Sequence, residues 1–405
     1  MQCYRNLSES NVSETAKSSD VIVIGGGAMG CATAWQLAAR GVTVRLIEQF
    51  AIGHELGSSH GYSRIIRRAY FEHPDYVPLV DRAYELWRQL EHETQEKLLA
   101  ITGIVEIGSP EGALLKGSSL SCALHNIPHE KLSADELRKR FPQFVIPDWM
   151  RAIWQKDAGI LAVERCILAL RAEAKKRGAL IHEEEEVLGI TSNASGVSVQ
   201  TRKDTYHGAK AVVCAGPWAG RVLADLKLPL VVTRQAMGFY KPLERAPFEA
   251  GTFPLFLMDL PGHNFYGFPF FGIDCVKVAH HHGGRIVTPD TVDRSFNAED
   301  DLLLREFLEN HIPLAAGSLQ LGKVCLYTCT PDMDFILDAH PLQKNVFIAA
   351  GFSGHGFKFS TAVGEVMADL AMHGRTPHPI SRFALQRFNR CSPLAPAVQG
   401  ERGRG

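Results

Sequence analysis

The stretch Asp20–Gln49, DVIVIGGGAMGCATAWQLAARGVTVRLIEQ, constrains the fold more than any other part of the chain. An apolar run, Val21 to Ile24, has the length of a buried parallel strand. Gly25, Gly27 and Gly30 follow it. A helix is predicted from Ala28 to Arg40, closed by Gly41. A second strand is predicted from Val42 to Ile47, ending on Glu48. Gly25 lets the strand turn sharply, Gly27 leaves room for a pyrophosphate against the backbone, and Gly30 lets the helix lie close on the strand. The free N–H groups and partial positive charge of the helix N-terminus then face the phosphates. Glu48 stands where a ribose hydroxyl is bound, and its charge argues against a 2′-phosphate and hence against NADP. Strand, helix, strand and acid in register predict a dinucleotide site. They do not choose between NAD and FAD.

A chain of 405 residues is too long for one typical core, so two interleaved domains are expected. Its 43 Lys and Arg against 44 Asp and Glu leave a net charge of −1, which implies no polyanionic partner such as nucleic acid. No apolar run approaches the ~18 residues that span a bilayer, so no membrane partner is expected. Residues 1–19 are polar, lack the apolar core of a secretory signal, and read as a disordered leader. Residues 389–405 read as a flexible tail, and its end, ERGRG, lacks a peroxisomal tripeptide. The cytoplasm is the expected compartment. Cys3, Cys31, Cys122, Cys166, Cys214, Cys275, Cys325, Cys329 and Cys391 show no disulfide or zinc spacing and read as reduced thiols, most of them small buried hydrophobes.

Along the chain, GSSHGYSRIIRRAY (57–70) offers small residues that let a backbone approach a ligand. Arg64 and Arg67 lie three apart, on one face if the segment is helical. Two such cations repel unless an anion sits between them. Residues 75–100 read as a long amphipathic helix through Val77, Leu79, Ala83, Leu86, Trp87 and Leu90. Leu132 to Phe141 reads as a short helix capped by Ser133 with Glu136 three residues on. A helix from Val163 to Arg177 is ended by Gly178. Val197 and Val199 share one face of a strand, and Ala209–Trp218 is a buried strand breaking into an Ala-Gly-Pro turn that suits a cofactor. Residues 228–330 read as a mostly antiparallel sheet carrying the substrate face. Within it Lys277 occupies an otherwise apolar strand, where a lysine is costly unless neutralised or functional. His280, His281 and His282 invite a metal reading. Neighbours in a strand point to opposite faces and no other ligand is at hand, so no metal is expected. Asn345–Ala350 is another buried strand. It runs into GFSGHGFKFS (351–360) and a helix through Val363, Val366, Met367 and Leu370. This second strand, glycine turn and helix can aim N–H groups at developing negative charge. Gly354, Gly356 and Lys358 stand in the turn.

GSSHGYSRIIRRAY, NFYGFPFFG (264–272), VKVAHHH, VCLYTCTPDMDFILDAHP (324–341) and AGFSGHGFKFS (350–360), in that order, resemble the monomeric sarcosine oxidase and N-methyltryptophan oxidase family. Peroxisomal sarcosine/pipecolate oxidases are also similar. The resemblance spans nearly all of residues 20–388. It implies an α/β flavoenzyme with the two-domain, p-hydroxybenzoate-hydroxylase-like fold. The FAD-binding domain would comprise 20–85, 151–225 and 325–388, and the substrate domain 86–150 and 226–324. The resemblance implies a thioether from Cys325, in its Cys325-Leu326-Tyr327-Thr328 context, to the flavin 8α-carbon. Cys329 has no counterpart. Arg67 and Lys358 match the pair that binds the substrate carboxylate. Arg64 and Lys277 match cations beside the flavin ring, Lys277 being linked to oxygen activation. Tyr266 and His281 match the remaining active-site side chains. Tyr62-Ser63 stands where the family has Asp-Thr. The implied activity, by a monomer, is oxidation of sarcosine or another N-methyl amino acid by O2, giving the amino acid, formaldehyde and hydrogen peroxide. The rivals are an oxidase of pipecolate, N-methyltryptophan or fructosyl amino acids, a flavin dehydrogenase linked through His60, an NAD dehydrogenase, and a flavin-binding protein without turnover.

Overall fold

The computed structural model describes residues 17–390. Most of the expected leader and of the expected tail, with Cys3 and Cys391, lies outside the described residues. Ser18 and Ser19, placed in the leader by sequence, already belong to the first strand, Ser18–Ile24.

That strand is the centre of a parallel sheet. It pairs on one side with Val44–Ile47, which pairs in turn with Leu180–His182, and on the other side with Thr205–Val213. The far half of Thr205–Val213 pairs in parallel with Val346–Ala350, and its near half forms an antiparallel hairpin with Gly196–Thr201. Crossover helices between parallel strands must cover the sheet faces. Here Ala28–Ala39 lies between Val163–Lys176 and Ser360–His373 on one face. Gly30 permits its closeness to the sheet. A Cβ on Gly30 would stand 1.7 Å from the Gly25 carbonyl oxygen, so only glycine permits the contact. Gly364 does the same for the neighbouring helix, where a Cβ would meet the Ala32 carbonyl carbon at 2.5 Å.

The second sheet runs, in spatial order, Leu319–Cys329, Val231–Tyr240, Val276–His280, His263–Phe268, Leu255–Leu260, Ile104–Gly108, Arg151–Gln155 and Glu130–Ser133. Every pairing is antiparallel except that of Leu255–Leu260 with Ile104–Gly108. The helix Ala298–His311 seals one face through Leu304, Phe307 and Leu308, against Phe144, Phe253, Phe256 and Phe265. A small antiparallel sheet, Ser63–Ile66 with Gly159–Ala162 and Leu99–Ile101, lies beside them.

Several local expectations hold. Ser133 and Glu136 form a reciprocal capping box, and Val197 and Val199 are both buried. The seven described cysteines are unpaired, six of them buried. One expectation changes, and one conformation left open by the sequence is decided. The helix predicted over 75–100 spans Val77–Thr94 and stops at Gln95 in the left-handed region (φ 58°), because the chain must turn to deliver Leu99–Ile101 to the small sheet. The segment carrying Arg64 is a strand, not a helix. Its β-branched Ile65 and Ile66 suit the pairing with Gly159–Ala162, and tertiary pairing decides a stretch whose spacing is neutral. Among the described residues no helix is long and apolar enough to cross a membrane.

Gly30→Ala tests the close approach. Overpacking typically costs about 1–3 kcal/mol, so the variant is expected to unfold at lower urea and to purify with less bound dinucleotide. Unchanged stability and content would show that helix and strand are free to separate.

Candidate active site

A cleft of about 1030 Å³, part of it open to solvent, lies at the carboxyl ends of the parallel strands, where ligands of such sheets bind. Gly25 reaches it with φ +102°, and a Cβ there would strike the Cys214 carbonyl oxygen at 2.4 Å. Gly27 is different. A Cβ on it would meet nothing nearer than Ser59 Oγ at 3.9 Å, so its backbone lies open to the cleft. Glu48 lines the same space. Its carboxylate accepts the Gly26 N–H at 2.6 Å and the Phe50 N–H at 2.9 Å, which fixes it and leaves lone pairs for ribose hydroxyls. The Ala215–Trp218 turn, Gly354 and Gly356 line the cleft as well. The open Gly27 backbone at a helix N-terminus, the pinned acid and the volume all fit a dinucleotide.

The cleft runs into a chamber through four residues that line both, Arg64, Tyr327, Gly354 and Phe357. Arg64 stands at the junction. Its guanidinium donates to the Ser58 carbonyl at 3.0 Å and lies 3.6 Å from Cys325 Sγ. Cys325 is buried on the strand Leu319–Cys329, one residue before Leu326 and Tyr327, which line the cleft. Ser58 Oγ donates to the Leu326 carbonyl at 2.6 Å and ties the early loop to this strand.

Arg67, Tyr266, His281 and Lys358 all line the chamber, although they come from four separate parts of the chain. Arg67 is 3% exposed, and its Nη2 donates to both oxygens of Glu72, at 3.0 and 2.8 Å. The anion that the paired cations call for is therefore supplied, in part, by the chain itself. Lys358 Nζ donates to the His355 carbonyl at 2.7 Å and approaches the Tyr70 hydroxyl at 3.4 Å. That hydroxyl lies 2.6 Å from His355 Nδ1, while His355 Nε2 lies 3.0 Å from the Met333 carbonyl. A carbonyl can only accept, so Nε2 carries the proton and Nδ1 accepts from Tyr70. The tyrosine oxygen is then free to face Lys358. Burial, and next the Arg67 charge, pull the Lys358 ammonium down to about 7. Burial and the neighbouring His282 hold His281 well below the usual imidazole range, so it is neutral, with Nδ1 3.3 Å from the Tyr327 hydroxyl.

Lys277 lies behind this wall. Its Nζ donates to the Gly61 carbonyl at 2.9 Å, the Ser63 carbonyl at 3.0 Å and Ser63 Oγ at 3.2 Å. Three oxygens satisfy three ammonium hydrogens. Burial, followed by the charge of Arg64, nevertheless pushes its pKa well down, so its charge depends on a negative neighbour. His60 is buried beside it, and burial with the Arg64 charge pushes it down to about 3. The reading of the histidine run is corrected in one respect. The strand ends at His280, His282 has φ +66°, and the rings of His281 and His282 lie 3.9 Å apart rather than on opposite faces.

Sequence reasoning missed Glu72, Tyr70, His355 and Glu106. The first two follow Arg67 within RRAYFE, and His355 stands in the quoted glycine turn. Glu106 sits in ITGIVEIG as a lone charge in an apolar strand, the same signal that marked Lys277.

A dinucleotide cleft opening into a side chamber is the plan of an enzyme whose bound cofactor meets a small molecule, an oxidoreductase by class. The chain matches the DAO family, FAD dependent oxidoreductase, over residues 20–370, and it belongs to that family. It is 41% identical over 373 residues to the monomeric sarcosine oxidase of Bacillus sp. (strain NS-129), covering 91% of this chain and 96% of the relative. It is 36% identical over 372 residues to the N-methyl-L-tryptophan oxidase of Yersinia pestis (strain Pestoides F), covering 91% and 99%. Among solved structures it resembles NikD, described as an unusual amino acid oxidase essential for nikkomycin biosynthesis, with a TM-score of 0.80, 27% identity, and coverage of 91% and 97%.

Tyr70→Phe tests the hold on Lys358. It leaves buried His355 Nδ1 without its donor, which typically costs about 1–3 kcal/mol. A fall of that size in urea unfolding is expected. An unchanged midpoint would mean that the tyrosine hydroxyl carries no part of the network.

Proposed function

We propose that this protein is an FAD-dependent oxidase of secondary amino acids, demethylating sarcosine or another N-methyl amino acid to the amino acid, formaldehyde and hydrogen peroxide. The observation that carries this reading is the convergence of Arg67 and Lys358, 291 residues apart in sequence, on a chamber that opens into the cofactor cleft. In this reading the pair fixes the substrate carboxylate by charge-assisted hydrogen bonds. Arg64 and Lys358 disfavour a second positive charge, so the amine is held in its neutral, reactive form. Tyr266 and neutral His281 bound the chamber and orient the N-methyl carbon. FAD, when bound, accepts a hydride equivalent and delivers the electrons to O2. The imine product hydrolyses in water. Lys277, held by three oxygens, supplies a cation when negative charge develops beside it. Gly25, Gly27, Gly30, Glu48, Gly354 and Gly356 hold the cofactor, and Cys325 joins it covalently. The protein acts as a cytoplasmic monomer.

The test is a peroxide-release assay on sarcosine, other N-methyl amino acids, pipecolate, glycated amino acids and N-methylamines without a carboxyl group. Carboxyl-free amines are expected to be poor substrates. Lys358→Ala is expected to lower kcat/KM for an N-methyl amino acid by about 30- to 5,000-fold, the range for losing one partner of a buried charge pair of about 2–5 kcal/mol. It should barely affect the carboxyl-free amine. Equal losses on both would remove the carboxylate reading. Arg67→Ala also strands Glu72, so its stability is measured alongside.

The covalent link predicts that acid-precipitated protein stays yellow, with a mass above that of the chain by about one FAD. Complete release of flavin on denaturation would refute it. Lys277→Met is expected to slow flavin reoxidation by about 10²–10³ and anaerobic reduction far less, since a preorganised charge acts where charge develops. Equal slowing of the two half-reactions would make the lysine structural.

A further inference from the structure

Glu106 is fully buried (0% exposed) in the strand Ile104–Gly108. Its neighbours across the sheet are Leu257 and Ile153, both apolar. One of its oxygens stands 3.5 Å from Arg67 Nη1 without closing a hydrogen bond to it, and the facing Ser118 hydroxyl favours its charged form. The helix Ala113–His125, packed on this strand, presents the buried Ser118 hydroxyl and the Cys122 thiol. The segment after Ser63–Ile66 presents Arg67 and Glu72. Glu106 does not line the chamber, so it holds Arg67 from the side away from substrate.

With both acids ionised, one guanidinium answers two carboxylates. A substrate carboxylate would be the third anion around it in a dry site. The least costly relief is to neutralise the acid with the fewest bonds to lose. Glu72 has two hydrogen bonds to Arg67, and Glu106 has none.

Resting on the carboxylate reading of Arg67 and Lys358, we propose that Glu106 is a positioning residue for the substrate carboxylate: it competes for the Arg67 charge from behind, and it takes up one proton from solvent when a carboxylate binds in front. Only the O–H bond of the Glu106 carboxyl forms in this step. Burial already pushes the Glu106 carboxyl up to about 7, against the pull of Arg67, so the group is poised to change state near neutral pH. Lys358 titrates in the same range and also faces the bound anion, so the test must separate the two.

The holoenzyme is titrated with acetate, which has no amine to ionise, and binding is followed by flavin absorbance from pH 6 to 9. Calorimetry in two buffers of different ionisation heat counts the protons taken up. Wild-type Kd is expected to rise towards tenfold per pH unit above about 7. Glu106→Gln is expected to bind acetate about tenfold more tightly at pH 8 and to lose its share of the proton uptake. Lys358→Arg, which keeps a cation but does not titrate there, is expected to retain the uptake due to Glu106. A Glu106→Gln variant with unchanged or weaker binding and the wild-type pH profile overturns the proposal. If that variant does not fold, the proton count decides. Uptake that survives in Lys358→Arg supports the proposal, and uptake absent from wild type or abolished by Lys358→Arg overturns it. Acetate that binds without uptake overturns the role of Glu106 alone. Acetate that does not bind at all overturns the carboxylate reading with it.

Discussion

The contact between Gly30 and the Gly25 carbonyl sets the geometry on which the rest depends. A side chain at Gly30 would lift the first helix off the first strand. Because the helix lies down, its N-terminus arrives at the strand end with its N–H groups turned towards the cleft. Gly364 repeats the logic between the first helix and the last described one, Ser360–His373. Two strand–turn–helix units are thereby drawn side by side, and the cleft lies along their turns. The glycine turn before Ser360 brings Lys358 into the chamber as a by-product of this packing.

The two buried cations Lys277 and Arg67 are answered very differently. Lys277 has no carboxylate within hydrogen-bonding reach among the described residues, only carbonyl and hydroxyl oxygens. Arg67 has two carboxylates within 4 Å, Glu72 at 2.8 Å from Nη2 and Glu106 at 3.5 Å from Nη1. A buried charge that is answered by dipoles stays responsive to new charge nearby, whereas one answered by full charges resists it. The Lys277 arrangement depends on the Gly61–Tyr62 turn, where Tyr62 takes φ +67°, uncommon for a bulky residue. Glu164 Oε1 secures it by accepting the Gly61 and Tyr62 N–H groups at 2.8 and 3.1 Å. The Gly61–Ser63 turn thus holds the lysine.

The opening unit was legible because each of its parts is local. Strand length, glycine spacing, helix period and terminal acid are all set within Asp20–Gln49, and no distant partner is needed to choose among them. Lys277 was legible for a related reason, since a charge in an apolar run is anomalous wherever the run goes. What the sequence left open was decided by pairing across the chain. Arg64 and Arg67 carry a spacing that suits a helix, yet Ser63–Ile66 is a strand because Gly159–Ala162 offers it an edge. The three histidines read as a strand, yet the strand stops at His280, and His281 turns to donate its N–H to the Asn264 carbonyl. The answer of Glu106 to Arg67 was invisible for the same reason, whereas Glu72 lies only five residues from Arg67. The contact of Arg67, in the segment after Ser63–Ile66, with Glu106, in a strand of the second sheet, depends on which backbones pack together, and that is fixed by the whole core rather than by any window of residues. The chain by itself determined that a dinucleotide turn and several buried cations exist. Only the tertiary structure decided which anions stand beside those cations, because Coulombic and hydrogen-bond partners are chosen by distance in space.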